Sequence, residues 1–544
     1  MRKSLISQTL IILVGVIFFF PFLGAVHLFD WDEINFAEAA REMLITKEYL
    51  QVQIDFLPFW EKPPLFIWLQ ALSMKIFGVN EFAARFPNAL AGIATLSVLY
   101  HIGTSLKNDR QGWIWVLLYL GSWLPHFYFK TAIIDPIFNL FIFLAFYQIY
   151  LSSLKSSKTL HYWLTGLFLG AAVLTKGPVA ILIAVLCLAV YIVWNKGLWG
   201  IGIKGILWIS LSTIIFSGSW FFIDILNNGW WFTETFIEYQ IRLFSTEDAG
   251  HRGPFFYHFI VLIIGCFPAS IFIWKRRSDI IPHSDQDRFT AWMWILLIVT
   301  LLLFSIVKTK IVHYSSLCYF PITYLAAKNL SQLNHISTRT NKIYRILLLS
   351  IGGLWSIILI ALPILGNNLD RLIPLIDDPF AVANLDGAPN FSYALILIGL
   401  ANASALIYTF IKAKQHPLKT FGAFSILNAV IIGVTMIIYT PKIEAISQRA
   451  AIEYFQSFEG KNVYVEPIGY KSYAHLFYAK RPNNHSELYK EKGLEYLLGE
   501  EVDRPVYFIT KNIYLDRILT ENPQLKVVSE RNGYVFLHKL TPKE

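Results

Sequence analysis

Apolar runs of about 20 residues, separated by short polar turns, dominate the first 440 positions. A run of that length lets an α-helix cross a hydrocarbon core of roughly 30 Å. Thirteen are legible, at 5–26, 84–104, 112–128, 132–152, 162–176, 178–194, 203–226, 256–274, 291–307, 314–330, 345–365, 391–411 and 420–440. Gly177-Pro178 separates two of them, because proline removes a backbone donor and breaks a helix. With Arg2 and Lys3 inside, alternate turns are basic, from Lys107/Arg110 through Lys275-Arg276-Arg277 to Lys412/Lys414/Lys419, as the positive-inside rule requires. The first run is long and has no clear small-x-small cleavage site, so it is expected to be retained.

This threading places residues 27–83, 227–255 and 441–544 on the outer side, joined by a smaller acidic loop at 366–390. Two regions follow: a transmembrane domain over 1–440 and a soluble outer α/β domain over 441–544. In the latter, 462–466, 505–510, 524–530 and 533–540 read as strands, the last two joined at Asn532-Gly533, and 487–498 and 514–521 read as helices. The expected fold is an all-α polytopic membrane protein of about thirteen transmembrane helices with a small C-terminal α/β domain.

Composition agrees. Of 544 residues 55% are hydrophobic and 15% charged, too few charges to solvate several globular domains. The aromatic content, 43 Phe, 27 Tyr and 17 Trp, excludes a disordered chain. The net charge of +9 fits loops facing anionic membrane lipids, with no nucleic-acid partner implied. Cys187, Cys266 and Cys318 all sit in apolar runs and outline no disulfide framework.

The chemistry lies in the outer loops. Asp30, Asp32 and Glu33 open the first of them. Asp30 as N-cap with Glu33 three residues on accounts for two of these acids; Asp32 is placed to act as a general base. Glu61-Lys62-Pro63-Pro64 follows, then an apolar stretch from Leu65 to Phe77 too short to span and suited to the interface. Lys62 and Arg85 flank it, readable either as snorkelling side chains or as part of a site.

Basic residues also gather where the positive-inside rule predicts depletion: Lys130, Lys176, Lys308, Lys310, Arg242, His251 and Arg252. Such a cluster suits an anion at the membrane surface, most naturally a lipid phosphate. Asp135, followed by Pro136 at the start of an apolar helix, reads equally as an N-cap and as a functional acid at the membrane edge.

The run Trp31-Asp32-Glu33-Ile34-Asn35-Phe36-Ala37-Glu38-Ala39-Ala40-Arg41-Glu42-Met43 resembles the first-loop signature of the protein O-mannosyltransferase and aminoarabinose transferase superfamily. Glu61-Lys62-Pro63-Pro64, Ile134-Asp135-Pro136, Leu174-Thr175-Lys176-Gly177-Pro178 and Arg252-Gly253-Pro254-Phe255-Phe256-Tyr257 are similar to motifs of its bacterial branch, in the same order. Asn35-Phe36 departs from the Arg-Tyr of many members, so any role of that arginine is absent here.

The resemblance implies a GT-C membrane glycosyltransferase that inverts the sugar it takes from a polyprenyl-phosphate donor. The acceptor would be a lipid A-like glycolipid, a glycan or a protein. Asp32 would be the base, and Lys62, Asp135, Lys176 and Arg242 would surround the donor phosphate. Arg85, Lys308 and Lys310 join that set from the charge pattern. Glu61 and His251 match positions that hold a divalent metal in relatives. The implied location is the bacterial inner membrane, with the site and tail on the periplasmic side. A polyprenyl-lipid or glycolipid flippase is the alternative.

Overall fold

The computed structural model describes residues 2–154, 158–195, 201–245, 253–273, 284–332, 338–385, 388–413, 415–484, 486–499 and 502–540. Among these, seven helices are long and apolar enough to cross a membrane: Glu81–Leu106, Asp135–Ser152, Gly202–Asn228, Asp285–Ile306, Lys342–Gly366, Tyr393–Lys412 and Pro417–Ala445. Leu5–Phe19, Leu65–Phe77 and Val179–Trp194 are apolar but shorter.

Several expected spans are broken, for local reasons. The run 112–128 divides at Gly121-Ser122 into the helices Asp109–Leu120 and Trp123–Phe127. The run 256–274 becomes Tyr257–Gly265 and a 3-10 turn Ala269–Phe272, because Pro268 cannot continue the first helix. The run 314–330 becomes a 3-10 segment Val312–Cys318 followed by Tyr319–Leu330. As expected, Gly177-Pro178 separates Lys158–Lys176 from Val179–Asn195.

The helical core is packed with rings. Trp123 stacks on Trp355 at 3.9 Å and Tyr191 on Trp292 at 4.1 Å, both nearly coplanar; such pairs are each worth about 0.5–1.5 kcal/mol beyond their burial. Where helices pass closest, side chains disappear. A Cβ on Gly103 would lie 2.8 Å from the Gly112 Cα of the neighbouring helix, the small-residue contact that membrane helices favour.

A second core joins the two ends of the sequence. The helix Asp32–Thr46 is buried from Glu33 to Met43. Its Ile34 and Ala37 share one apolar cluster with Phe59 of the first loop and with Phe455, Leu476, Phe477 and Phe536 of the tail. The tail therefore rests on the loop that carries the first acidic motif. Within that loop β1 (Gln53–Ile54) pairs with β2 (Leu57–Pro58). The turn between them holds Asp55 and Phe56 at φ 59° and 57°, a geometry unfavourable for residues other than glycine. Buried Glu42 stabilises it by accepting both amides, at 2.7 and 2.8 Å. Burial, reinforced by neighbouring Glu38, pushes the Glu42 carboxyl upward.

The tail holds β3 (Tyr464–Pro467), β4 (Val506–Lys511), β5 (Leu525–Arg531) and β6 (Tyr534–Lys539) in the order β3-β4-β6-β5. β3 and β4 are parallel; the other pairs are antiparallel. Asn532 and Gly533, at φ 50° and 75°, form the two-residue turn that their sequence predicts.

Candidate active site

Four chain segments converge at one end of the helical bundle. Asp32 opens the helix Asp32–Thr46 after Trp31, whose φ of 69° is strained for a bulky residue. Unlike the eleven residues after it, Asp32 is not buried; its side chain is 40% exposed, with Oδ2 3.6 Å from Nε2 of His313. The same nitrogen lies 3.7 Å from Oδ2 of Asp135. Oδ1 of Asp135 accepts a hydrogen bond from the Lys176 ammonium at 2.6 Å. Acid, imidazole, acid and ammonium thus stand in line.

Local sequence sets each position. Lys176 ends its helix because Gly177 adopts φ 95°, and a Cβ there would fall 2.4 Å from the Phe236 ring. The ammonium lies 5.6 Å from the Phe138 ring centre and 5.1 Å from that of Tyr314, within cation–π range. Asp135 is 2% exposed, and its Oδ2 has no hydrogen-bond partner. A buried carboxylate oxygen left unpaired calls for an explanation beyond folding.

Neither capping expectation holds. Asp30 lies two residues before the first helical position, and no side chain caps this helix. Asp135 is the first helical residue rather than the cap, and its carboxylate turns to Lys176.

Lys62 belongs to the same cluster. Burial pushes its ammonium below the usual lysine range; Glu61 and Asp32 oppose that shift, and Lys176 adds to it. Tyr239 ties the neighbouring charges together. Its ring centre is 5.1 Å from the Lys62 ammonium and 5.2 Å from the Arg242 guanidinium, and its hydroxyl donates to Glu61 at 3.3 Å.

Other candidates lie elsewhere. Arg85 is 5% exposed and all five of its N–H donors are engaged, by Glu33 at 3.0 and 2.7 Å and by the carbonyls of Leu23, Val26 and His27. It has no donor left for a phosphate; it clamps the first loop. Lys310 gives its three donors to the carbonyls of Phe304, Ser305 and Val307, closing the end of the helix Asp285–Ile306. Lys308 is exposed, and Lys130 bonds the Pro21 carbonyl at 2.8 Å.

His251 lies outside the described residues, as does Arg252. Among the described residues no three His, Cys, Asp or Glu side chains are grouped to hold a metal, and Glu61 is turned to Tyr239. The metal assignment to Glu61 and His251 gains no support from this geometry.

Sequence reasoning missed His313, Tyr239 and Tyr314 as members of the site. His313 and Tyr314 stand in the same short run as Lys308 and Lys310, where the lysines drew attention. Only the 3-10 turn Val312–Cys318 shows that the imidazole reaches two carboxylates.

The sequence model described as dolichyl-phosphate-mannose-protein mannosyltransferase matches residues 61–220. An undecaprenyl phosphate-alpha-4-amino-4-deoxy-L-arabinose arabinosyl transferase from Shewanella sediminis is 25% identical, over 76% of this chain and 74% of its own. A protein of the same name from Edwardsiella ictaluri is 28% identical over 67% of this chain and 66% of its own. In fold, the crystal structure of ArnT from Cupriavidus metallidurans bound to undecaprenyl phosphate matches with a TM-score of 0.77 at 17% identity, covering 98% of both chains. The structural likeness gives the chain the fold of that protein, a helical membrane body with a small C-terminal sheet domain. In sequence the chain is similar to bacterial aminoarabinose transferases, at 25–28% identity to the two named.

Proposed function

We propose that the chain transfers a single sugar from a polyprenyl-phosphate donor to a lipid A-like glycolipid, on the periplasmic face of the bacterial inner membrane. One observation carries the reading: Asp32, His313, Asp135 and Lys176 come from four separate segments, and each stands within 3.7 Å of the next in that order. The donor named for the curated relatives supports the polyprenyl-phosphate class of donor.

The donor's leaving group is a phosphate, stable as an anion, so no general acid is obligatory. Bond breaking needs positive charge around the departing oxygens and a base for the incoming nucleophile. Lys62, Lys176 and Arg242 supply the charge, with Asp135 holding Lys176 in place. An acceptor oxygen attacks the anomeric carbon, its proton passes to Asp32, and the bond to the phosphate oxygen breaks with its electron pair. A single displacement of this kind inverts the anomeric centre. His313, 3.6 Å from Asp32 and 3.7 Å from Asp135, stands between the two carboxylates.

Asp32→Asn keeps the shape and removes the base. Purified protein with this change should bind donor as before and lose about a thousandfold in transfer, read as product by mass spectrometry. Near-normal turnover would remove Asp32 from the mechanism.

A further inference from the structure

A cavity of about 430 Å³ lies outside the cluster just described, at the seam between the first loop and the tail. Asp55 of the first loop forms one wall, and β3 with the segment from Gly469 to Leu476 forms the rest. Its size falls in the range of small-ligand sites. Two of its acids are already neutralised. Glu466 is held by Arg481, by His475 at 3.0 Å and by the Tyr489 hydroxyl at 2.9 Å. Asp55 faces Arg481 at 3.6 Å and accepts from Tyr489 at 3.2 Å.

What is left over has a recognisable chemistry. Lys471 is exposed and lies over two rings, 5.6 Å from that of Trp31 and 5.2 Å from that of Tyr473. Lys511 lies 5.2 Å from the ring of Tyr470, which lines the cavity. His475, 4% exposed, spends Nε2 on Glu466 and has no partner for Nδ1. Tyrosine faces suit a sugar ring; the two lysines suit an attached phosphate. Trp31, half-exposed against Lys471, immediately precedes Asp32.

We infer that this seam cavity binds a phosphorylated saccharide, the headgroup of the acceptor, and presents it toward Asp32. The inference rests on the transferase reading and assigns the acceptor a second, separate foothold. It also gives the tail a purpose: β3 and its following loop complete a site that the first loop carries only in part.

The test uses the full chain in lipid nanodiscs. Binding of three probes is measured by calorimetry: lipid A, its deacylated disaccharide bisphosphate, and the same disaccharide without phosphates. Lys471→Ala and Tyr473→Ala should each weaken the bisphosphate by about tenfold, and Lys471→Glu by more. The phosphate-free disaccharide should bind more weakly and ignore Lys471. Lipid A binding tighter than the bisphosphate identifies a membrane-anchored headgroup; equal affinity identifies a soluble sugar phosphate as sufficient. Since Lys471 is exposed, its substitution leaves the fold intact. Wild-type affinity for the bisphosphate in Lys471→Glu would overturn the inference. Transfer of sugar from a polyprenyl-phosphate sugar to lipid A is measured in parallel by mass spectrometry: no transfer by the wild-type chain overturns the transferase reading, while the binding data still decide the cavity.

Discussion

Arg85 and Lys176 are both basic residues at helix ends facing acidic partners, and the charge pattern alone does not separate them. Their surroundings do. Around Arg85 every donor is matched: Glu33 takes two bonds and also accepts the Phe29 and Ala132 amides at 2.9 and 2.6 Å, and three carbonyls take the rest. Around Lys176 the account is open. Asp135 keeps one buried oxygen without a hydrogen bond, His313 stands too far from either carboxylate for a hydrogen bond, and Asp32 is 40% exposed. A saturated ionic network holds a structure together; an unsaturated one awaits a substrate.

The largest expected effect breaks the saturated network. Arg85→Ala leaves Glu33 buried without its cation, which costs about 3–5 kcal/mol. Thermal unfolding of the detergent-purified protein should show a marked fall in Tm, or the protein should fail to accumulate. Lys176→Ala also leaves Asp135 buried without its cation, so Tm should fall here too, but in the protein that folds donor KM should rise, as it should not for Arg85→Ala. If the two variants exchange behaviours, the distinction between the regions is wrong.

Helix positions, the Gly177-Pro178 break and all four tail strands follow from periodicity and turn residues, because burial and backbone chemistry are local signals. The strands run 464–467, 506–511, 525–531 and 534–539, against readings of 462–466, 505–510, 524–530 and 533–540. The breaks within 112–128, 256–274 and 314–330 were hidden because an apolar stretch looks alike whether or not its helix is continuous. Asp32, Lys62, Asp135 and Lys176 were visible as charges out of place. Arg85 and Lys310 were visible for the same reason, and their saturation depends on carbonyls that no sequence position advertises. His313 required knowing that residue 313 meets residues 32 and 135, a contact across the fold.

Lys310 sharpens the comparison at a smaller scale. Its ammonium is 6% exposed and closes three carbonyls. Lys310→Met keeps much of the length and removes the donors, leaving those carbonyls unpaired at a cost of about 1–3 kcal/mol. Stability should fall while donor KM stays the same, whereas Lys176→Ala should raise donor KM. A raised donor KM at unchanged Tm would return Lys310 to the phosphate site.

The smallest effect is a change of slope with pH. Lys62 differs from an ordinary lysine because burial lowers its pKa. Its positive charge is fully present at low pH and is lost as pH rises through that depressed value, earlier than for a solvated lysine. If Lys62 helps hold the donor phosphate, donor affinity should weaken on the alkaline side, with the onset below the usual lysine range. Arginine stays charged across this window, so Lys62→Arg should flatten the alkaline limb even if its longer fork lowers affinity overall. Donor KM measured from neutral to alkaline pH gives both curves. An identical limb in wild type and Lys62→Arg would assign the titration to another group and leave Lys62 with the saturated, structural residues.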